Sequence, residues 1–170
     1  DKRAGRIARV RKPVIAQIHS SPGLGNAIGA IYQAVRGHCP MVVIGGDAGI
    51  KYQAMDAQMA ADLVSMAKPV TKWSTMVQHP SSLLRTLRRA YKIAATPPMG
   101  PVYVCLPQDI MDEESTESVF PTSLPVTYSL PAPELAGQAA AKLAAPDRPP
   151  LYAGAGVAWD NASTTVRDRT

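Results

Sequence analysis

The sequence predicts an α/β fold, a parallel sheet with flanking helices, followed by the start of a second α/β domain. Three observations carry this. Short apolar, β-branched runs recur at 14–18, 41–44 and 102–106, with the length of buried strands. Between the first two, apolar residues fall at 24, 27, 28, 31, 34 and 35, the spacing of one helix face. Strand, helix and strand together take roughly 30 residues, the size of a βαβ unit with a right-handed crossover.

The elements follow in order. Pro13 closes a basic leading segment, and Val14-Ile15-Ala16-Gln17-Ile18 reads as a buried strand. His19-Ser20-Ser21-Pro22-Gly23 reads as a loop, and Leu24 to Val35 as an amphipathic helix. Gly37 stands just past that helix, where a C-terminal cap calls for positive φ. Pro40 opens the second strand, Met41 to Ile44, which Gly45-Gly46-Asp47 ends. Strands that are apolar throughout are those of a parallel sheet covered on both faces.

Residues 54–66 are rich in Ala and Met and read as a helix, broken at Lys68-Pro69. Val70 to Val77 holds a short strand. Pro80-Ser81-Ser82 starts a helix whose buried face is Leu83, Leu84, Leu87, Ala90, Tyr91 and Ala94. Arg85, Arg88, Arg89 and Lys92 form its outer face, read as solvated. Pro97-Pro98 stops it, and Val102 to Leu106 is the third buried strand, ended by Pro107. Residues 112–133 turn acidic and then rich in Pro, Ser and Thr, the composition of a linker. A helix over 134–145 and a strand at Leu151-Tyr152-Ala153 then open a second domain. The domains are therefore 1–111, incomplete at its N-terminus, a linker over 112–133, and 134–170, truncated.

Charge narrows the partners. Residues 1–12 carry six Lys/Arg against one Asp, and the remainder carries twelve of each sign. The body is electrically balanced. With no aromatic among its charges, the basic segment reads as a solvated helix end and not as a nucleic-acid arm. No apolar run approaches the roughly 20 residues that span a bilayer, and no secretory segment is present. Cys39 and Cys105 match no metal-ligand spacing, which favours a reducing compartment and a cytoplasmic protein.

The chemistry lies between the first strand and the first helix. A Gly-rich turn at a helix N-terminus offers free N–H groups to an anion or polar ring. One candidate is an NAD(P)-binding oxidoreductase domain, with Asp47 placed as a ribose-binding acid. The spacing Gly23-x-Gly25-x-x-x-Gly29 departs from G-x-G-x-x-G. Another alternative is a non-catalytic α/β interaction module.

The whole run His19-Ser20-Ser21-Pro22-Gly23-Leu24-Gly25-Asn26-Ala27-Ile28-Gly29 resembles the glycine loop of the pyrimidine-binding (PYR) domain of thiamine-diphosphate enzymes. The benzoylformate decarboxylase and acetolactate synthase branch is the most similar. Pro40 to Gly46, Lys68 to Ser74 and Gly100 to Asp109 match further motifs of that domain, and the linker falls where the family places it. His19-Ser20 and Lys72-Trp73-Ser74 lean towards benzoylformate decarboxylase, and Gln58-Met59 departs from the Phe-Gln pair of acetolactate synthases.

The resemblance implies a thiamine diphosphate-binding portion of a lyase or transferase that decarboxylates or carboligates 2-oxo acids, built as a homo-oligomer, dimer or tetramer. His19 aligns with a catalytic histidine that moves protons, which an imidazole does in both directions near neutral pH. A strand-end histidine bonded to backbone is the plainer role. Pro22, Gly23 and Asn26 match cofactor-binding positions, although Asn26 equally suits capping the turn. The family's cofactor-activating glutamate and its Gly-Asp-Gly…Asn motif for Mg²⁺ and diphosphate do not occur here. Magnesium would thus be held by a part of the enzyme outside this chain, which alone would be inactive.

Overall fold

The computed structural model describes residues 12–124, 130–145, 152, 154 and 156–159. The chain forms two compact units, Asp1–Thr127 and Tyr128–Thr170. In the first, four strands, β1 (Val14–His19), β2 (Met41–Asp47), β3 (Trp73–Met76) and β4 (Pro101–Pro107), form one sheet. Its order is β1-β2-β4-β3, and every neighbouring pair is parallel, as the apolar runs predicted. Two long helices are α1 (Ser20–Arg36) and α3 (Leu83–Ala95); α2 (Leu63–Ala67) and α4 (Gln108–Met111) are short.

Alternation along the strands divides the core. Val43, Tyr103 and Cys105 pack with Leu24, Ile31, Leu63, Ala67 and Val70, so α1 and α2 cover one face. Val42, Val102, Val104 and Leu106 pack with Ala90, Ala94, Val77 and Ile110, so α3 covers the other. β4 has neighbours on both sides and helices on both faces, and all seven of its residues are buried. Each large apolar side chain so enclosed contributes roughly 1.5–3 kcal/mol.

Several expectations are corrected. β1 is an edge strand and largely exposed, with Ile15 at 65%. On the face that Ile15 shares with Val42, α3 packs against β2 and β4. The expected loop at 19–23 is absent: Ser20 adopts φ 51° and the chain turns from strand to helix at that residue. The glycines thus lie inside α1, and Pro22 sits in its first turn, where its missing N–H costs nothing. Gly37 has φ −85°, and the left-handed residue is His38 at 50°. Gly37 serves a close approach instead, since a Cβ there would lie 3.2 Å from both Cys39 Sγ and Gln33 O.

The helix expected over 54–66 is replaced by a 3₁₀ turn, Ile50–Met55, a left-handed Asp56 and irregular chain up to α2. Local propensity loses there to distant anchors described below. Asp62 caps α2, accepting from Ser65 N at 3.0 Å. A second 3₁₀ turn, Lys68–Val70, takes the start of the expected strand and leaves Trp73–Met76.

The outer face of α3 is not simply solvated. Ser82 offers it no side-chain cap. Instead Glu117, from the segment after α4, accepts from Leu84 N at 2.6 Å and pairs with Arg85 at 3.4 Å. Arg88 donates to Pro121 O at 3.2 Å and lies over the Phe120 ring, and Arg89 lies over Trp73. Lys72 closes the other end of α3, donating to Ile93 O at 2.6 Å and Thr96 O at 2.7 Å.

In the second unit, α5 (Pro133–Ala144) begins with a proline at its N-terminus and buries none of its residues, and α6 is the short Gly156–Trp159. The predicted strand at 151–153 falls, except for Tyr152, outside the described residues, as does the leading basic segment up to residue 11.

Candidate functional site

Because all four strands are parallel, their carboxyl ends line one edge of the sheet, the edge where open α/β sheets take ligands. His19 ends β1, Asp47 ends β2 and Met76 ends β3. His19 pairs with Gly46 in register, and its ring lies over that glycine: a Cβ on Gly46 would sit 3.1 Å from His19 Nδ1. The missing side chain leaves room for an exposed imidazole.

Ser20 is next, buried and in the left-handed region, which costs a non-glycine residue on the order of 1–2 kcal/mol. Its hydroxyl lies 3.5 Å from Met59 Sδ, and the Ser21 hydroxyl 3.5 Å from Met59 O. The segment around Met59 thereby leans on the first turn of α1. Pro22, Gly23 and Asn26 follow on α1 itself. Gly23 faces β1, where a Cβ would meet Ile18 Cβ at an ordinary 3.6 Å, so sterics do not demand glycine. Asn26 is exposed within the helix and does not cap a turn. The four residues read from the sequence therefore gather at one strand–helix junction.

Beside them is Asp47, the acid that the dinucleotide reading assigns to a ribose, at the end of β2 as expected. Asp47 is 3% exposed; its Oδ2 accepts from Gln53 Nε2 at 3.3 Å and its Oδ1 has no partner. Gln53 Nε2 also lies 3.3 Å from Met76 Sδ. A cavity of about 310 Å³ opens there, lined by Gln53, Asp56, Ala60, Ala61, Asp62 and Met76. Behind Asp47, burial and then its charge push the Cys105 thiol up to about 12. Burial first, with Cys105 and Asp47 adding, likewise raises the Tyr103 phenol. Both are inert reserves of the core and not nucleophiles.

The loop that carries Gln53 hangs on Asp109, just past β4. Its carboxylate accepts from Ile50 N at 3.0 Å and Lys51 N at 3.1 Å. No local pattern announced Gln53, and Asp109 was visible only as the end of the Gly100–Asp109 motif, without a role. Met59 was visible only as a departure from a family motif. Asp47 was visible as an acid ending a buried strand.

Among the described residues no group of three or more His, Cys, Asp or Glu is placed to hold a metal ion, and no helix is long and apolar enough to cross a membrane. The glycine turn of a dinucleotide fold is also missing, because α1 starts at Ser20, before its first glycine.

Residues 3–66 match the family described as "Thiamine pyrophosphate enzyme, N-terminal TPP binding domain". The chain belongs to the thiamine-diphosphate enzyme family. It is 34% identical over 122 residues to the mitochondrial acetolactate synthase of Schizosaccharomyces pombe, covering 72% of this chain and 18% of that protein. To the benzoylformate decarboxylase of Pseudomonas aeruginosa it is 28% identical over 155 residues, covering 89% of this chain and 29% of that protein. The crystal structure of benzoylformate decarboxylase from Polynucleobacter necessarius superposes with a TM-score of 0.75 and 28% identity, over 95% of this chain and 30% of that one. The chain thus spans less than a third of the length of these relatives. Its thiamine diphosphate-binding domain has the parallel α/β sheet expected from the sequence, and the NAD(P) and interaction-module alternatives are not favoured.

Proposed function

We propose that this chain supplies the pyrimidine-facing part of a thiamine diphosphate site in a larger enzyme that decarboxylates or carboligates 2-oxo acids. The observation that supports it most is the junction of β1 and α1. There an exposed imidazole on Gly46 stands directly before a helix whose first-turn N–H groups face the ligand edge of the sheet. The donors fit a polar ring. Pro22, Gly23 and Asn26 would hold the aminopyrimidine, and when bound the cofactor supplies an electron sink for the pair released as the C–C bond breaks. His19 would hold and return a proton at the reacting carbon's oxygen, worth roughly 10²–10⁴ in rate.

The described residues do not fit a Mg²⁺–diphosphate group, so magnesium belongs to another part of the enzyme in this reading. The assembly would be a homo-oligomer, dimer or tetramer, working in the cytoplasm without nucleic acid or membrane. Benzoylformate decarboxylase-like and acetolactate synthase-like chemistry both lie within the proposal.

Calorimetry with thiamine diphosphate and Mg²⁺, together with CO₂ release from pyruvate and benzoylformate, tests it. The 170 residues alone should bind weakly or not at all and release no CO₂. A longer protein carrying them should do both, and His19→Ala should cut its kcat by two to four orders of magnitude while cofactor affinity holds. NADH binding by this chain, or unchanged turnover of the His19→Ala protein, would refute the reading.

A further inference from the structure

We propose that Asp109 is the positioning residue for the cavity wall at the carboxyl edge of the sheet, holding the Gly49–Gln53 loop so that the Gln53 amide reaches Asp47 and Met76. The inference rests on the proposed function only in taking this edge to face the ligand.

The geometry is specific. The two carboxylate oxygens of Asp109 are each used, Oδ1 by Ile50 N and Oδ2 by Lys51 N. Two consecutive main-chain donors on one carboxylate fix the orientation of a peptide as well as its distance. Gly49, the residue before, has φ 124°, and a Cβ there would lie 3.1 Å from Asp109 Cγ. Glycine is therefore required twice over, by backbone conformation and by the closeness of the carboxylate. Asp109 itself is fixed at the start of α4, immediately after the fully buried β4. The rigid centre of the sheet is thus linked to a loop that buries none of its own residues from Ile50 to Met55.

Gln53 lies one turn beyond the two clamped amides. Its Nε2 donates to the buried Asp47 and lies against Met76 Sδ, and its side chain lines the cavity. Ile50 also packs against the cluster of Val104, Leu106 and Ile110, but the hydrogen bonds that orient the loop on α4 are those to Asp109, and without them Gln53 would lose the pose that satisfies Asp47 Oδ2. Lys51 is the charged side chain acting on Asp109. Burial works against the Asp109 charge, but the Lys51, Ile50 and Ile110 N–H groups outweigh it and hold the carboxyl below its ordinary range.

The test is NMR of the isotopically labelled 170-residue chain. On lowering the pH, the Ile50 and Lys51 amide protons should shift together through one transition below the usual aspartate range. Asp109→Asn, which keeps one acceptor, should abolish that transition and move the Gln53 side-chain amide resonances. Val104 and Ala90 amides, in the core, should stay in place. Asp109→Glu should restore the joint titration. Flat Ile50 and Lys51 shifts in the wild-type chain overturn the proposal without any variant, as does a Gln53 signal indifferent to Asp109→Asn. No thiamine enters this experiment, so its failure and a failure of the proposed function are read separately.

Discussion

Gly45 sits opposite Cys105 in the middle of the sheet, and the Tyr103 ring lies across it. A Cβ at position 45 would approach Tyr103 Cε2 to 2.7 Å and Cζ to 2.8 Å, with the hydroxyl overlapping as well. Tyr103 is wholly buried among Leu24, Ile31, Leu63 and Val43, so the ring has nowhere to retreat. Gly45→Ala should therefore behave as an overpacking change at the upper end of the usual range, about 3 kcal/mol. Removing the glycine's backbone freedom returns up to about 1 kcal/mol. The net loss of about 2 kcal/mol corresponds to a fall in Tm of roughly 6–8 °C for a unit of this size. Thermal unfolding followed by circular dichroism measures it. Tyr103→Leu removes the obstructing ring, so the double variant should be more stable than the sum of the single effects by at least about 1 kcal/mol. A Gly45→Ala protein melting within about 2 °C of wild type, or strictly additive variants, would refute the steric reasoning.

Further outcomes follow from other contacts. Lys72→Met deprives Ile93 O and Thr96 O of their donor and should cost about 1.5–3 kcal/mol, read as a lower denaturant midpoint. Glu117→Ala should expose Leu84 N and release the 113–121 segment to limited proteolysis, whereas Arg85→Ala, at the exposed end of the pair, should leave it resistant. Cys105 should ignore thiol reagents at pH 8 in the folded chain and react once it is unfolded, because burial holds its thiol up at about 12. Asp62 is held below its ordinary range by the Ser65 side chain and N–H, and Asp109 by main-chain donors that outweigh its burial. Both folded values are depressed. Their contribution is thus complete above about pH 4, the unfolded value, and drains away as pH falls through the folded ones. Tm measured from pH 6 to 2 should fall in that acid window, and less steeply in Asp62→Ala.

The parts of the fold legible in the sequence were those fixed by local pattern. β2 and β4 are apolar at every or nearly every position because they are buried on both faces, and that is visible residue by residue. α3 was visible for the same reason, through its single apolar face. β1 carries a mostly apolar sequence, interrupted by Gln17 and ended by His19, but stands at an edge, and edge position is a property of neighbours, not of composition. The Ala- and Met-rich stretch at 54–66 favours helix on propensity, yet Asp109, 59 residues beyond Ile50, holds the preceding loop and Asp62 restarts the helix. At the candidate site, His19 was legible as the polar end of an apolar strand. The left-handed Ser20 was not, since nothing about serine announces positive φ.

The sheet order also bears on how the chain is made. Of these four strands β4 is the last to be synthesised and one of the two inner ones, and β3 pairs with it alone. As the polypeptide leaves the ribosome, β1 and β2 can join, but β3 has no edge to add to until residues 101–107 emerge. Through that interval β2 presents an open, apolar edge, the kind that recruits strands from other chains. A transcript or nick ending short of Pro101 would strand both halves of the core, whereas one ending just after Met111 would leave all four strands in hand. Passage through this window, more than the final stability, should set how much of the protein reaches its native state at high expression.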